Sequence, residues 1–154
     1  MLPSNILQSS NVSVGDPASS KKRVLEQAAR LLAADTEEPS AEQIFERLLE
    51  RERLGSTGLA GGVALPHARM PGLSESRGAF LRLTEAIDFD ALDGQPVDLV
   101  FALLVPEEAN EEHLQLLASL AAMFNNEGLR NQLRQADTEE AMAILTGRST
   151  TDAA

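Results

Sequence analysis

Residues 97–105 read VDLVFALLV, and Pro96 and Pro106 stand on either side of this run. Its length also suits a short buried helix, but a proline at each end favours a strand. A strand this apolar offers no polar face to water, so both faces of its sheet must be covered. Because helical patterns precede and follow it, we predict one layered α/β domain with helices packed on a sheet.

Two helices are predicted before this strand. In residues 19–35, SSKKRVLEQAARLLAAD, apolar side chains recur at helical spacing, and one of the first two serines can cap the N-terminus. The second helix is expected to begin at Ser40, which forms a capping box with Gln43, and to end at Gly55. Its charged residues, including Arg51 and Glu52, are expected to form a solvated surface.

Three further helices are predicted after the strand. Asn110 is expected to cap EEHLQLLASLAAMF, GLRNQLRQ gives a short helix, and Asp137 caps DTEEAMAILTG in a box with Glu140. The apolar face of the first of these helices is expected to carry Leu114, Leu117, Ala121 and Phe124.

Three shorter strands complete the prediction. VALP is expected to end at Pro66, followed by strands at 78–83 and 86–89. Residues 1–18 look polar and loop-like, and residues 148–154 look frayed. We therefore assign an N-terminal extension at 1–18, one domain at 19–147 and a frayed C-terminus at 148–154.

The composition excludes several functions. The 154 residues contain no cysteine, which rules out disulfides, thiolate zinc sites and cysteine nucleophiles. A net charge of −11 disfavours nucleic-acid binding through a broad basic surface. No apolar run reaches the roughly 20 residues needed to span a bilayer, so we expect no membrane insertion. No signal peptide is evident, so we expect a cytoplasmic protein.

His67 and His113 are the two histidines of the chain. His67 follows a short apolar strand and the glycine-rich string GSTGLAGG, whose backbone N–H groups are suited to approach an anion. Arg51 on the preceding helix suits a phosphate or carboxylate. His113 is expected in the first turn of its helix, where the helix dipole favours a neutral imidazole. The alternative is that His67 caps a strand and His113 is a surface residue.

The sequence gives little support for a metal site, a serine hydrolase or a nucleotide-binding loop. Two distant histidines form no recognised metal-ligand spacing, so we expect no metal site. GSTG is not the G-x-S-x-G of serine hydrolases, and no Lys-Ser/Thr follows the glycines as in a nucleotide-binding P-loop. A neutral histidine remains as a nucleophile that forms covalent intermediates. With a phosphoryl acceptor, the site needs mainly positioning and electrostatic stabilisation.

Two blocks of the chain carry a family resemblance. RERLGSTGLAGGVALPHARM, followed by DGQPVDLVFALLVPEEANEEHLQLLASLA, resembles the IIA proteins of the bacterial phosphoenolpyruvate phosphotransferase system. The nitrogen-regulatory type is the nearest, with fructose and mannitol IIA domains related. The resemblance extends from SSKKRVLEQAARLLA to about residue 147, and implies a single α/β domain with a mixed sheet between helices.

The resemblance also implies roles for particular residues. His67 matches the histidine that an HPr-like phosphocarrier phosphorylates, giving a tele-phosphohistidine. His113 matches a second, assisting histidine, and Arg51 matches an arginine suited to stabilise the phosphate. Ser56 and Thr57 match hydroxyls near the site. No cofactor is implied. Many relatives have glycine after the active histidine, where this chain has Ala68, so the backbone there must accept a Cβ.

Two functions follow from this resemblance. The first is a regulatory phosphocarrier that controls partner proteins, such as potassium transport systems or sensor kinases, by its phosphorylation state. The alternative is a sugar-transport IIA component that passes the phosphoryl group to a fructose- or mannitol-type IIB domain. No IIB or membrane segment is recognised in the 154 residues, which favours the regulatory function. Either way the protein is a phosphotransferase component, and we expect it to be regulatory rather than metabolic.

Overall fold

The computed structural model describes residues 5–34, 36–108 and 111–147. After a 3-10 turn at Ser9–Asn11, five strands and five helices follow. The strands are β1 Val12–Asp16, β2 Val63–Ala64, β3 His67–Met70, β4 Arg77–Ile87 and β5 Val97–Pro106. The helices are α1 Lys21–Leu32, α2 Ala41–Arg53, α3 Glu111–Phe124, α4 Glu127–Gln135 and α5 Thr138–Thr146.

The strands form one mixed sheet in the order β1-β4-β5-β2, with β3 also paired to β5. β4 and β5 are antiparallel, while β1 is parallel to β4 and both β2 and β3 are parallel to β5. Helices flank this sheet, and the predicted mixed α/β fold is confirmed. None of the helices in the described part of the chain has the length and apolar character to cross a membrane.

β5 is the strand that joins the two halves of the core. Its alternate side chains enter different apolar clusters, as a strand buried on both faces requires. Val100, Ala102 and Leu104 pack with α1 and α2. Leu99, Phe101 and Leu103 pack in the second cluster with the residues of α3, α4 and α5. The strand predicted at 97–105, with both faces covered, is therefore confirmed.

The predicted helix starts are confirmed wherever the structure describes them. Ser20 accepts a hydrogen bond from the Arg23 N–H, and Ser40 forms its capping box with Gln43. Asp137 caps α5 in the same way. The predicted cap at Asn110 lies outside the described residues. These local hydrogen bonds satisfy donors that a helix start leaves unpaired, so they mark helix boundaries dependably.

The predictions for the segments that form β1 and β4 were wrong. Residues 12–16 of the expected loop-like segment form β1, and nearby Ile6 and Leu7 are buried. The segment is too short to show a clear alternation, and only its pairing with β4 reveals it. The two strands predicted at 78–83 and 86–89 are one strand, β4, whose register with β5 shifts between Arg82 and Ile87. The exposed polar residues at that irregularity look like a turn in the sequence.

The predicted apolar face of α3 is only partly correct. Phe124 is buried, and Leu120 is buried with it, whereas Leu117 and Ala121 are half-buried. Leu114 is 58% exposed. Leu114 and Leu117 line an open groove, while Leu116 and Leu117 pack against the second core cluster and are only partly buried.

Candidate functional site

A break in the sheet positions His67. We expected the strand to end at Pro66 and the ring to leave from a turn, and this is wrong, because His67 is the first residue of β3. Val63 pairs with Leu99 and His67 pairs with Leu103, so β2 and β3 keep one register along β5 on both sides of the break. Proline has no N–H to donate, which accounts for an interruption at this point.

The break supplies a hydrogen-bond partner for the imidazole. His67 Nδ1 lies 2.9 Å from the carbonyl oxygen of Leu65. A carbonyl oxygen only accepts, so Nδ1 carries the proton and Nε2 carries the lone pair of the neutral ring. Ala68, where many relatives have glycine, lies in extended β3, and strand backbone accepts its Cβ.

The surroundings of His67 favour the neutral ring. Burial lowers the pKa of its imidazole, and the positive charge of Arg51 lowers it further. The Leu65 hydrogen bond and the negative charge of Glu52 act in the opposite direction, and the net pKa lies below the ordinary value. The lowered pKa of His67 favours the neutral ring, which is the form that a nucleophile needs.

We predict that His67 titrates below the ordinary histidine pKa of about 6.5. Its folded-state pKa is depressed, so the proton is taken up only at a more acidic pH. The measurement is an NMR titration of both imidazoles, assigned by the signal that His67→Ala removes. A His67 midpoint at or above that of a histidine in a short peptide would contradict the prediction.

The three principal predicted site residues meet at one groove. Its volume is about 400 Å³, and His67, His113 and Arg51 all line it. His113 lies in the first turn of α3, as predicted. Arg51 lies in the last turn of α2, where its Nη1 donates to the Gly55 carbonyl oxygen at 3.0 Å. That bond uses one of five guanidinium N–H donors, so the group retains capacity to bind an anion.

Sequence reasoning missed other residues of the groove. Arg47 and Arg69 also line it, with Glu50 the acidic residue of the wall. The groove is thus locally cationic in a chain whose net charge is −11. Arg69 had a usable signal, because it lies two residues after His67 on the same face of a strand.

The groove also has an apolar rim. Leu54, after the end of α2, is 85% exposed, and Leu114 on α3 is 58% exposed. Both line the groove together with Leu117. Large exposed apolar side chains around a polar centre are typical of a surface that contacts another protein.

Ser56 and Thr57 are not among the residues that line the groove. The Ser56 hydroxyl donates to the Phe89 carbonyl oxygen at 2.7 Å and accepts from the Gly58 N–H at 3.0 Å. Thr57 is 5% exposed, and both its N–H and its hydroxyl donate to Glu52. These hydrogen bonds hold the loop that precedes β2.

The glycine-rich string GSTGLAGG allows close packing and does not line the groove. Gly61 and Gly62 both have φ of +80°, and a Cβ on Gly61 would lie 2.7 Å from the Arg130 guanidinium carbon. The Gly61 N–H donates to a carboxylate oxygen of Asp93, and Arg134 donates to the Gly61 carbonyl oxygen. The absent side chains let α4 approach, which the sequence alone did not indicate.

Comparisons with known proteins identify the relatives of this chain. The family model described as "Phosphoenolpyruvate-dependent sugar phosphotransferase system, EIIA 2" matches residues 5–147. A nitrogen regulatory protein of Pseudomonas aeruginosa is 54% identical over 129 residues, which cover 84% of each chain. The nitrogen regulatory protein IIA-Ntr of Neisseria meningitidis superposes with a TM-score of 0.86 at 44% identity, covering 93% of this chain and 98% of that one.

A sugar-type protein shares the fold at lower similarity. The IIA mannitol protein of Escherichia coli superposes with a TM-score of 0.74 at 22% identity, covering 90% of this chain and 98% of that one. That likeness concerns the fold alone. Together with the match over residues 5–147 and the 54% identity, these findings confirm the resemblance read from the sequence. The chain belongs to the IIA family of the phosphoenolpyruvate-dependent phosphotransferase system, as a nitrogen regulatory IIA protein.

Proposed function

We propose that this protein accepts a phosphoryl group on Nε2 of His67 from an HPr-like carrier and controls partner proteins by its phosphorylation state. The observation that supports this most directly is the Nδ1 hydrogen bond of His67 to the Leu65 carbonyl oxygen, within a groove that Arg51 and His113 also line. The bond determines which ring nitrogen is the nucleophile.

Transfer of the phosphoryl group from the carrier to His67 needs no further reactant. The Nε2 lone pair attacks the phosphorus, the bond between phosphorus and the carrier's donor atom breaks, and its electron pair returns to the carrier. Nδ1 keeps its proton, so positive charge develops on the ring as the new bond forms. The Leu65 carbonyl oxygen, 2.9 Å away, stabilises this charge.

Arg51 and His113 have an assisting role in this proposal. The phosphoryl oxygens carry most of the charge in the transition state, and nearby N–H donors stabilise it. Arg51 supplies a guanidinium fork, and His113 supplies an imidazole N–H. We assign no direct phosphate contact to Ser56 or Thr57, whose hydroxyls are engaged with Phe89 and Glu52.

The groove rim provides the docking surface for the carrier and for regulated partners. A phosphoryl group adds up to about two negative charges at His67, in the groove that the exposed Leu54 and Leu114 also line. A partner with an apolar contact there must desolvate that charge or supply a cation. The switch therefore works by permitting or blocking docking, while the domain keeps its fold.

The regulatory function is favoured over sugar transport. The nitrogen regulatory relative is 54% identical to this chain, whereas the mannitol protein is 22% identical. Potassium transport systems and sensor kinases are the kinds of partner we propose, with the cytoplasm as the place of action. In the alternative, the protein passes its phosphoryl group to a fructose- or mannitol-type IIB domain.

Reconstitution tests the two functions together. The purified protein is incubated with phosphoenolpyruvate, the first enzyme of the relay and either a nitrogen-branch or a sugar-branch HPr-like carrier. We expect rapid phosphorylation through the nitrogen-branch carrier and slow onward transfer to fructose- and mannitol-type IIB domains. Absence of phosphorylation with every carrier would contradict the proposal. Fast transfer to a IIB domain would show that the sugar-transport function, and not the regulatory one, is correct.

A further inference from the structure

Glu52 is a buried carboxylate at the end of α2. It follows Arg51 in the chain, yet it is 7% exposed, so the expectation that it belongs to a solvated surface is wrong. Burial of a carboxylate is costly unless it is paired, and the C-terminal end of a helix repels negative charge. A residue in so unfavourable a place needs strong compensation from its neighbours.

Three donors supply that compensation. The Thr57 N–H donates to Oε1 at 2.9 Å and the Thr57 hydroxyl donates to Oε2 at 2.7 Å. The Lys21 ammonium group of α1 lies 2.9 Å from Oε1. Lys21 also contacts Asp90 at 3.2 Å and lies 5.0 Å from the centre of the Phe89 ring. Burial lowers the pKa of Lys21, but Glu52 and Asp90 raise it by more, so Lys21 stays charged.

A short chain of hydrogen bonds connects Glu52 to the imidazole. Glu52 holds Thr57 through two bonds, and the Thr57 carbonyl oxygen accepts from the Leu65 N–H at 3.0 Å. The carbonyl oxygen of Leu65 in turn accepts from His67 Nδ1. The residue that orients the ring is therefore itself held in place by the loop that Glu52 anchors.

We propose that Glu52 is a positioning residue of the phosphoryl-transfer site. It anchors Thr57, and through Thr57 it holds Leu65 and His67 in place. Its negative charge also opposes the effect of the positive charge of Arg51 on the imidazole ring. This inference rests on the proposed function, because it assigns Glu52 a part in the same reaction. The side chain of Glu52 contacts Thr57 and Lys21, and Glu52 is not among the residues that line the groove. It acts through the hydrogen bonds of the loop and through its charge.

The charge of Glu52 has a consequence for the transferred group. Arg51 attracts a phosphoryl dianion on His67, and Glu52 repels it, so the two charges together keep the group transferable. The same opposition acts on the proton of the ring: burial and Arg51 lower the pKa of His67, while Glu52 raises it. The other charged or titratable groups around the groove and Glu52 are Arg47, Glu50, Arg69, Glu107, His113, Lys21 and Asp90.

The substitution Glu52→Gln tests the effect of the negative charge of Glu52 separately from its role in anchoring Thr57. Glutamine preserves an acceptor for Thr57 but removes the negative charge. We expect the pKa of His67 to fall in the unphosphorylated protein, and the equilibrium with the carrier to shift about threefold towards phosphorylated His67, the size expected of one screened charge. Glu46→Gln, an exposed change on the same helix, is the matched control and should alter neither quantity.

Thr57→Val tests the positioning role without changing any charge. It removes the 2.7 Å bond to Glu52, so we expect a transfer rate about tenfold lower with the pKa of His67 close to wild type. Glu52 and Thr57 act through their contact with each other. The double variant, Glu52→Gln with Thr57→Val, should therefore transfer about as slowly as the slower of the two single variants. This variant also decides the matter if Glu52→Gln does not fold.

The outcomes separate this inference from the proposed function. Failure of the wild-type protein to accept phosphate would remove the proposed function, whereas the titration of His67 would still measure the effect of Glu52. If the wild type is phosphorylated and Glu52→Gln leaves both the pKa and the equilibrium unchanged, the charge role is overturned. A wild-type rate in Thr57→Val overturns the positioning role.

Discussion

His67→Ala should take up no phosphoryl group from the carrier, and this is the largest effect expected of any single substitution in the chain. Alanine has no lone pair to offer, and no other described nucleophile lies at the same strand break beside Arg51. His113→Ala is the matched variant, because the chain has two histidines. It should still be phosphorylated on His67, although more slowly.

The measurement uses labelling from phosphoenolpyruvate through the relay. The bound phosphate should be acid-labile and base-stable, as a phosphohistidine is, and should map to His67 in the wild type and in His113→Ala. Circular dichroism checks that His67→Ala is folded. Full labelling of His67→Ala at another residue would show that His67 is not the acceptor.

Much of the fold was predictable because it depends on local chemistry. The capping boxes at Ser40 and Asp137 are formed within four consecutive residues, so their sequence pattern is sufficient. β5 was predictable because its two prolines and its apolar run require a strand covered on both faces. β1 was missed because its place in the sheet depends on pairing with β4, more than 60 residues away.

The candidate site was predicted only in part for the same reason. The family resemblance marked His67, His113 and Arg51 by their places in its motifs, and the structure brings them to one groove. The hydrogen-bond partner of His67 is a backbone carbonyl, which every residue has and no sequence pattern marks. Glu52 looks like its exposed neighbours in the sequence, and only the packing of α1 against α2 reveals that it is buried.

Arg51→Ala should slow phosphoryl transfer to His67 by about 100-fold, the usual loss when one charged donor to a developing oxyanion is removed. Arg51→Lys should recover only part of the rate, because an ammonium group lacks the planar fork that matches phosphate oxygens. Removal of Arg51 also takes away a positive charge that lowers the pKa of His67, so this pKa should rise in Arg51→Ala. Single-turnover kinetics with the phosphorylated carrier gives the rate, and NMR titration gives the pKa.

Arg53→Ala provides the control for this result. Arg53 lies in the same last turn of α2 and is exposed, but it does not line the groove. The guanidinium of Arg51 donates to the Gly55 carbonyl oxygen, and loss of that bond should cost only about 1 kcal/mol of folding stability, so both variants should fold. Equal rates in Arg51→Ala and Arg53→Ala would mean that the guanidinium does not act on the phosphoryl group. A slow Arg51→Ala beside a fast Arg53→Ala would place the effect at the groove, because the two variants remove the same charge from the same turn.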